Sequence, residues 1–241
     1  MLKCKHNYYK NMKVNQHSII KKYLKLSKLR VVELLLVTTV PSMIISIYGM
    51  PPLSLVIYTL SGGTLLAISA NVMNQVFEVE TDKLMQRTAD RPIVTGEISK
   101  INGVIFSVFC GLSGFIILYT LATPLSAFIA LSANFFYVFI YTLILKPRTN
   151  QNIVIGGASG AAPVLIGWTA TGSELETGPW VLFLLVFMWT PAHFWALSIE
   201  NKSDYKNAQF PMLPNEESHK RTCIFIAIYS CSTVLISLVA A

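Results

Sequence analysis

The sequence predicts an all-α polytopic membrane protein, built as a bundle of transmembrane helices. The chain has 241 residues, of which 53% are hydrophobic and only 13% are charged, and its mean hydropathy is +0.55. Soluble domains carry about 25% charged residues. The apolar residues also fall in long runs, each near the ~20 residues that a helix needs to cross a bilayer. These two observations favour a membrane bundle over a soluble fold.

Seven apolar runs are predicted to be membrane spans. They are 31–49, 53–77, 101–122, 124–145, 152–170, 179–199 and 222–241. Pro51, Pro52 and Pro124 mark tight turns between neighbouring runs. Gly156 and Gly160 form a small-xxx-small pair in the fifth run, which predicts that helix backbones approach closely there.

The polar segments fall into two sets that alternate along the chain. The basic segments hold all 19 Lys and Arg residues and are 1–30, 78–100, 146–151 and 200–221. The short turns hold no Lys or Arg and are 50–52, 123 and 171–178. By the positive-inside rule the basic segments are cytoplasmic. We therefore expect a multi-pass protein of a bacterial inner membrane, or, as the alternative, of a mitochondrial inner membrane with these segments in the matrix.

This topology divides the chain into a basic cytoplasmic N-terminal tail, 1–30, and a transmembrane domain, 31–241. The formal net charge of +7 would indicate nucleic acid as a partner of a soluble protein. Here the basic residues lie between apolar runs, so the lipid bilayer is the expected partner and nucleic acid is not. The four cysteines form no CxxC pattern, so a cysteine metal site is not expected.

The densest charge cluster lies in "NQVFEVETDKLMQRTADRP", residues 74–92, at the end of the second run. Asn74, Glu78 and Asp82 are spaced i, i+4, i+8, which places them within about 80° on one helical face and over ~12 Å. That length is too great for three ligands of one cation. It suits oxygen ligands that face an extended anion through more than one Mg²⁺, a hard cation that bridges carboxylates to substrate phosphates.

Arg87 and Arg91 follow, again four residues apart. Guanidinium groups hold phosphate oxygens directly and with good geometry. Acids and arginines at a membrane boundary are therefore able to bind a diphosphate whose tail is a lipid. An ordinary interfacial loop with internal salt bridges is the alternative on composition alone.

The second polar loop, "IENKSDYKNAQFPMLP", repeats this chemistry with Glu200 and Asp204 four residues apart and Lys206 nearby. Both loops belong to the basic segments, so we expect them to face one another across a shared cavity. Lys146 and Arg148 in "LKPRTNQN" add cations on the same face, and the alternative is that they only anchor the topology.

With these motifs the sequence resembles the UbiA superfamily of intramembrane prenyltransferases, and within it the branch that farnesylates haem, the haem O synthases. The resemblance covers roughly residues 28 to 225. The stretches that carry it, in order, are "KLRVVELLLVTTVP", "NVMNQVFEVETDKLMQRTADRPIVTGEIS", "YTLILKPRTNQNIVIGGASGAAPVLIGW", "WTPAHFWALSI" and "DYKNAQFPMLP".

The resemblance implies a UbiA-like helical bundle and assigns roles to matching positions. The first Asp-rich motif, which binds Mg²⁺ and diphosphate in the family, falls on Asn74, Glu78 and Asp82. The second falls on Asp204, and the histidine of WTPxHFW falls on His193, a contact to haem or to the reacting region. The expected catalytic residues are Asn74, Glu78, Asp82, Arg87 and Asp204. The expected substrate-binding residues are Arg91, Lys146, Arg148, Lys206 and His193, and the expected metal ligands are Glu78, Asp82 and Asp204.

His193 also has an argument of its own, because ionisable groups inside membrane spans are rare and usually functional. It lies two residues after Pro191, and a proline inside a helix usually kinks it. The kink is predicted to aim the imidazole into the cavity and at the porphyrin side of the reaction.

This sequence departs from the wider superfamily in three respects. Gln75 and Glu78 replace two Asp of the first motif, and Ala208 stands where the second motif commonly has a further acid. The family has nine spans, whereas this chain reaches Ala241 within the seventh. The resemblance therefore implies that the domain 31–241 is C-terminally incomplete.

The implied reaction transfers a farnesyl group from farnesyl diphosphate to a vinyl group of haem B, a substrate, and gives haem O. Mg²⁺ and basic residues would neutralise the leaving diphosphate, and water would quench the cation formed on the haem side chain. The resemblance extends to association with haem A synthase or terminal oxidase assembly. The alternatives are another UbiA-type prenyltransferase acting on a quinone precursor, and a transporter or haem chaperone. Transporters carry charge near the bilayer midplane, whereas the acids here lie at span ends.

Overall fold

The computed structural model describes residues 19–240, apart from the side chains of residues 30, 31, 34–36 and 240. Within this range the regular elements are all helical. Residues 19–27 are helical and precede ten helices. Their bounds are α1 Leu29–Ser46, α2 Leu53–Phe77, α3 Val79–Asp82, α4 Lys100–Leu121, α5 Pro124–Leu145, α6 Asn152–Ala170, α7 Thr177–Glu200, α8 Lys202–Asn207, α9 Leu213–Glu216 and α10 His219–Ala240.

The predicted spans correspond closely to the long helices. Among the described residues six helices are long and apolar enough to cross a membrane, namely α2, α4, α5, α6, α7 and α10. The first predicted span, 31–49, lies on α1, which ends at Ser46, and the apolar helical stretch found there is the shorter Val37–Ser46. The basic tail 1–30 is described only from residue 19 onward, and there it continues as helix up to the turn at Lys28.

Proline and hydroxyl side chains mark the starts of helices α5 and α4. Pro124 occupies the first turn of α5, and the Thr123 hydroxyl accepts a hydrogen bond from the Ser126 amide at 3.1 Å. The Ser99 hydroxyl accepts from the Asn102 amide at 3.2 Å at the start of α4. Both side chains satisfy amides that have no partner inside their own helix.

Small residues allow several helices to pack closely. On Gly114 of α4, an added Cβ would lie 2.7 Å from the Gly62 carbonyl oxygen of α2. An added Cβ on Gly156 of α6 would collide with the Tyr141 ring of α5, so this glycine admits an aromatic side chain and not the backbone of a neighbouring helix. At Gly160 the prediction is wrong, because an added Cβ would meet nothing within 4 Å. Gly160 borders a cavity instead.

That apolar cavity lies between α1, α2, α5 and α6 and has a volume of about 200 Å³. Its wall is mostly small and aliphatic, with a few polar side chains. The lining residues are Val32, Thr39, Thr59, Gly63, Leu66, Ala67, Ala70, Asn71, Ala130, Ala133, Asn134, Tyr137, Ser159, Gly160, Pro163 and Ile166.

The two predicted sets of polar segments lie at opposite ends of the bundle. At one end the short turns meet: Ser46 and Thr171 hydroxyls are 2.8 Å apart, and Thr123 donates to the Thr169 carbonyl at 2.8 Å. At the other end the basic segments are joined by side-chain contacts, of which the Lys146–Glu78 pair is one. The fold thereby concentrates the charged groups beyond the end of α2.

Candidate active site

The site is built around five side chains at the basic end of the bundle, here called the polar cluster: Asn74, Glu78, Asp82, Arg91 and Lys146. The Lys146 ammonium lies 2.5 Å and 2.7 Å from the two Glu78 carboxylate oxygens. The Arg91 guanidinium donates to Asp82 Oδ2. Asn74, Glu78 and Asp82 are all buried, with Asp82 0% exposed. Pairing with an opposite charge offsets part of the cost of taking each charge out of water.

The local backbone keeps the three acidic-motif residues on one face, as the spacing predicts. The long helix α2 ends at Phe77, but the Glu78 amide still donates to the Asn74 carbonyl at 3.0 Å and the Asp82 amide to the Glu78 carbonyl at 2.8 Å. The i, i+4 relation therefore persists through the short helix α3. Glu80, off this face, is exposed and pairs with Lys83 at 2.8 Å.

Lys146 reaches Glu78 because α5 changes its hydrogen-bonding pattern. The segment Phe136–Leu145 is π-helical, and the Lys146 amide donates to the Tyr141 carbonyl, five residues earlier, at 2.8 Å. Such wider turns change the direction of the following side chains and recur at functional sites. The Lys146 ammonium also lies 4.5 Å from the centre of the Phe210 ring, which adds a cation–π contact.

Asp82 is the most deeply enclosed carboxylate of the polar cluster. Desolvation raises the pKa of Asp82 and the adjacent Arg91 opposes this shift, while the Glu78 carboxylate reinforces it. Within the described part of the chain, Asp82 Oδ1 is buried and accepts no hydrogen bond. An orphaned buried carboxylate oxygen costs free energy unless a cation or a donor occupies the space that it faces.

The second polar loop contacts the first directly, so the two loops are neighbours; that they share a substrate cavity stays a prediction. The Asp204 carboxylate accepts hydrogen bonds from the backbone amides of Gln86, at 3.1 Å, and Arg87, at 3.0 Å. The Arg87 guanidinium donates to the Tyr205 hydroxyl at 3.3 Å and stands 5.6 Å from the centre of that ring. Asp204 thus fixes the backbone that carries Arg87. Its role as a metal ligand stays a prediction.

The proposed metal ligands do not converge on one point. No three His, Cys, Asp or Glu side chains among residues 19–240 are placed to hold a single metal ion. Glu78, Asp82 and Asp204 therefore cannot share one ion in this arrangement. The spacing of the first motif already indicates ligands spread along an extended anion.

Three expected substrate-binding residues lie apart from the polar cluster. Arg148 is exposed and donates to the carbonyls of Leu143 and Ile144, where it caps the end of α5. Lys206 is exposed on α8. His193 is exposed on α7 and stacks on Trp189, with ring centres 4.4 Å apart, and it does not line the apolar cavity. Its contact with haem stays a prediction.

Lys28 is a site residue that the sequence interpretation missed. Its ammonium lies 3.5 Å from Asn74 Oδ1, so it reaches the polar cluster from the basic tail. Burial and the neighbouring Arg91 lower the pKa of Lys28 to about 7, against a smaller opposing effect of Glu78. Among nine Lys and Arg residues of the tail, nothing in the sequence distinguishes Lys28.

Comparison with known families places the chain. The model of the UbiA prenyltransferase family matches residues 35–241. A protoheme IX farnesyltransferase from Pseudarthrobacter chlorophenolicus is 46% identical over 218 residues, covering 90% of this chain and 68% of that protein. Protoheme IX farnesyltransferase 1 from Saccharopolyspora erythraea is 43% identical over 226 residues, covering 94% of this chain and 72% of that protein.

Solved structures share the fold at lower identity. A UbiA homologue from Archaeoglobus fulgidus bound to GPP and Mg²⁺ superposes with a TM-score of 0.73 and 18% identity, over 91% of this chain and 77% of that one. A digeranylgeranylglyceryl phosphate synthase gives a TM-score of 0.73 at 18% identity, over 90% and 76% of the two chains. The predicted helical bundle is confirmed by these likenesses.

Proposed function

This chain belongs to the UbiA prenyltransferase family, and from that membership we propose that it transfers the farnesyl group of farnesyl diphosphate to a vinyl group of haem B. The product is haem O with its hydroxyethylfarnesyl side chain. Relatives that are 43% to 46% identical over at least 90% of this chain carry the name protoheme IX farnesyltransferase. The proposal places both substrates at a bacterial membrane, with the polar cluster on the cytoplasmic side.

The observation that carries the proposal is the position of the polar cluster beside the apolar cavity. Asn71, which lines the cavity, precedes Asn74 by one turn of α2. Asn74 donates to the Thr142 hydroxyl at 3.2 Å, and Thr142 donates to the carbonyl of Tyr137, another cavity residue. A polar site with basic side chains and metal-binding oxygens, next to an apolar cavity between helices, suits a molecule with an anionic head and a hydrocarbon tail.

The residues present fit a divalent cation, which the Archaeoglobus fulgidus homologue binds together with GPP. Asn74, Glu78 and Asp82 supply hard oxygen donors, and the buried Asp82 Oδ1, which accepts no hydrogen bond from the described residues, is suited to contact a cation. We infer that these residues would hold Mg²⁺, with Asp204 as a further predicted ligand. When bound, Mg²⁺ supplies positive charge that stabilises the leaving diphosphate.

The protein's own side chains would assist the same bond cleavage. Arg91 and Lys146 are held by carboxylates at the basic end of the bundle, and the backbone of Arg87 is fixed by Asp204. Their charges stabilise the diphosphate as the allylic C–O bond breaks, because preorganised groups need no rearrangement. The apolar cavity excludes water from the farnesyl cation until the haem vinyl group attacks it. Water then adds to the new cation and loses a proton.

Pigment analysis tests the function directly. The chain is expressed in bacterial membranes that lack their own haem-farnesylating activity, and haem B and farnesyl diphosphate are supplied. We expect haem O among the extracted pigments, identified by mass, and none with the Asp82→Asn variant. If an aromatic quinone precursor is prenylated and haem is not, the proposed substrate is wrong. If haem is transported and nothing is prenylated, the proposed enzymatic activity is wrong.

A further inference from the structure

The helical residues 19–27 are bonded to α2 and to the loop that follows α3. The Gln75 side-chain amide donates to the Leu26 carbonyl at 2.7 Å. Lys25 pairs with Asp90 at 2.7 Å, and Leu26 itself is fully buried. The end of the basic tail is therefore packed into the fold rather than lying free on its surface.

Lys28 follows immediately, at a sharp turn before α1. Its backbone has φ 49° and ψ 51°, the left-handed conformation that few residues other than glycine adopt. This turn separates the segment 19–27 from α1 and brings the Lys28 ammonium to Asn74. An uncommon backbone conformation persists only where the surrounding structure holds it, and such residues cluster at functional sites.

Both carboxylates of the polar cluster are already paired with basic side chains other than Lys28. Glu78 is paired with Lys146, and Asp82 with Arg91. Lys28 forms no ion pair with a carboxylate anywhere in the described range, and the one partner of its ammonium there is the neutral Asn74 amide. Three basic side chains thus face two carboxylates, and an anion entering the cluster would meet Lys28.

We propose that Lys28 is a further cationic ligand of the substrate diphosphate, beside Arg87, Arg91 and Lys146, and that Gln75 is the positioning residue that holds Lys28 in place through Leu26. The inference rests on the proposed function and adds two residues to its site. Gln75 is 1% exposed and donates to two carbonyl oxygens, of Leu26 and Asn71. A carboxylate at this position could only accept hydrogen bonds and would repel both oxygens.

Inorganic pyrophosphate with Mg²⁺ is the probe, because it has the head group without the hydrocarbon tail. Its binding to the purified full chain in lipid nanodiscs is measured by calorimetry. Lys28→Met should weaken binding about tenfold or more, as expected for the loss of one charge-assisted hydrogen bond. Lys21→Met removes the same charge from an exposed position of the same segment, and it should leave binding within about twofold.

Gln75→Glu keeps the side chain's shape and should weaken pyrophosphate binding to a similar degree. In the double variant Lys28→Met with Gln75→Glu, the two losses should not add, since both remove the same contact. Additive losses would show that Gln75 acts only on stability and would overturn its positioning role. Unfolding temperatures are measured for every variant to show that it is folded. If Lys28→Met does not fold, Lys28→Gln replaces it in the comparison of pyrophosphate affinities.

Equal pyrophosphate affinity in the wild type, Lys28→Met and Lys21→Met would overturn the role of Lys28 and leave the proposed function intact. Absence of pyrophosphate binding by the wild type would overturn both. The KM for farnesyl diphosphate should rise in Lys28→Met and Gln75→Glu, whereas the KM for haem B should not change.

Discussion

Lys146 at the end of α5 and Glu78 just beyond α2 form a buried ion pair, 68 residues apart in the chain, with 2.5 Å between Nζ and Oε1. Their side chains are 11% and 6% exposed. This pair joins α5 to the end of α2 at the basic end of the bundle, where we propose that the diphosphate binds.

Lys146→Met should strongly destabilise the protein and abolish farnesyl transfer. Removing one partner leaves the Glu78 carboxylate buried without compensation, which costs about 3–5 kcal/mol. The measurement is the midpoint of unfolding in detergent, followed by turnover. Lys83→Met is the matched control, because Lys83 is exposed and pairs with the exposed Glu80. Equal midpoints for the two variants would contradict the structural role of the buried pair.

Asp82→Asn should eliminate farnesyl transfer while the chain still inserts into the membrane. The substitution keeps the shape of the side chain and removes the charge that pairs with Arg91 and that we propose binds Mg²⁺. Turnover is measured over a range of Mg²⁺ concentrations, with Glu80→Gln, an exposed carboxylate off the site face, as the control. If Asp82→Asn and Asp204→Asn both retain near-normal turnover, these carboxylates have no part in the reaction.

Asp204→Asn should raise the KM for farnesyl diphosphate about tenfold, the effect expected on losing a hydrogen bond to a charged group. The carboxylate receives two backbone amides, and an asparagine side chain has a single acceptor oxygen to offer them. The loop at Gln86 and Arg87 would then lose one restraint. Glu200 lines a surface groove together with Arg87 and Asp204, but its side chain is exposed. The control Glu200→Gln should therefore leave the KM for farnesyl diphosphate unchanged.

Gly160→Val should shift substrate preference from farnesyl towards geranyl diphosphate. Gly160 lines the apolar cavity and has free space around it, so the added side chain shortens the room for the hydrocarbon tail without a clash. The ratio of kcat/KM for the two diphosphates is the measurement. Ala196→Val adds comparable bulk at an exposed position of α7 and should not change that ratio. Unchanged preference in Gly160→Val would place the tail elsewhere.

Cysteine labelling should place both large polar loops on one side of the membrane. Single cysteines at Glu80 and Asn207 are expected to react from the cytoplasm, and one at Glu174 from the opposite side, since all three positions are exposed. The native cysteines are first replaced, because Cys223 and Cys231 are also exposed. Labelling of positions 80 and 207 from opposite sides would be incompatible with a shared site.

Several features of this protein follow from local sequence alone. The apolar runs determine the membrane helices, because a backbone in lipid must satisfy its hydrogen bonds within each helix. The distribution of Lys and Arg separates the two ends of the bundle. The i, i+4, i+8 spacing of Asn74, Glu78 and Asp82 places them on one face, and the location of both polar loops in the basic segments puts them at the same end of the bundle, where the Asp204 and Arg87 loops are in contact.

Other features depend on contacts that no local pattern encodes. Arg148 and Lys146 are basic residues of the same polar segment. Arg148 caps the end of α5, whereas Lys146 enters the site after a π-helical turn whose Tyr141 packs against Gly156. Lys28 reaches the polar cluster because a buried Gln75 holds the neighbouring backbone. Spacing along one helix fixes which side chains share a face, since the helical period is constant. Which cation neutralises which buried acid is decided only when helices pack, because that choice depends on distance and desolvation between segments far apart in the chain.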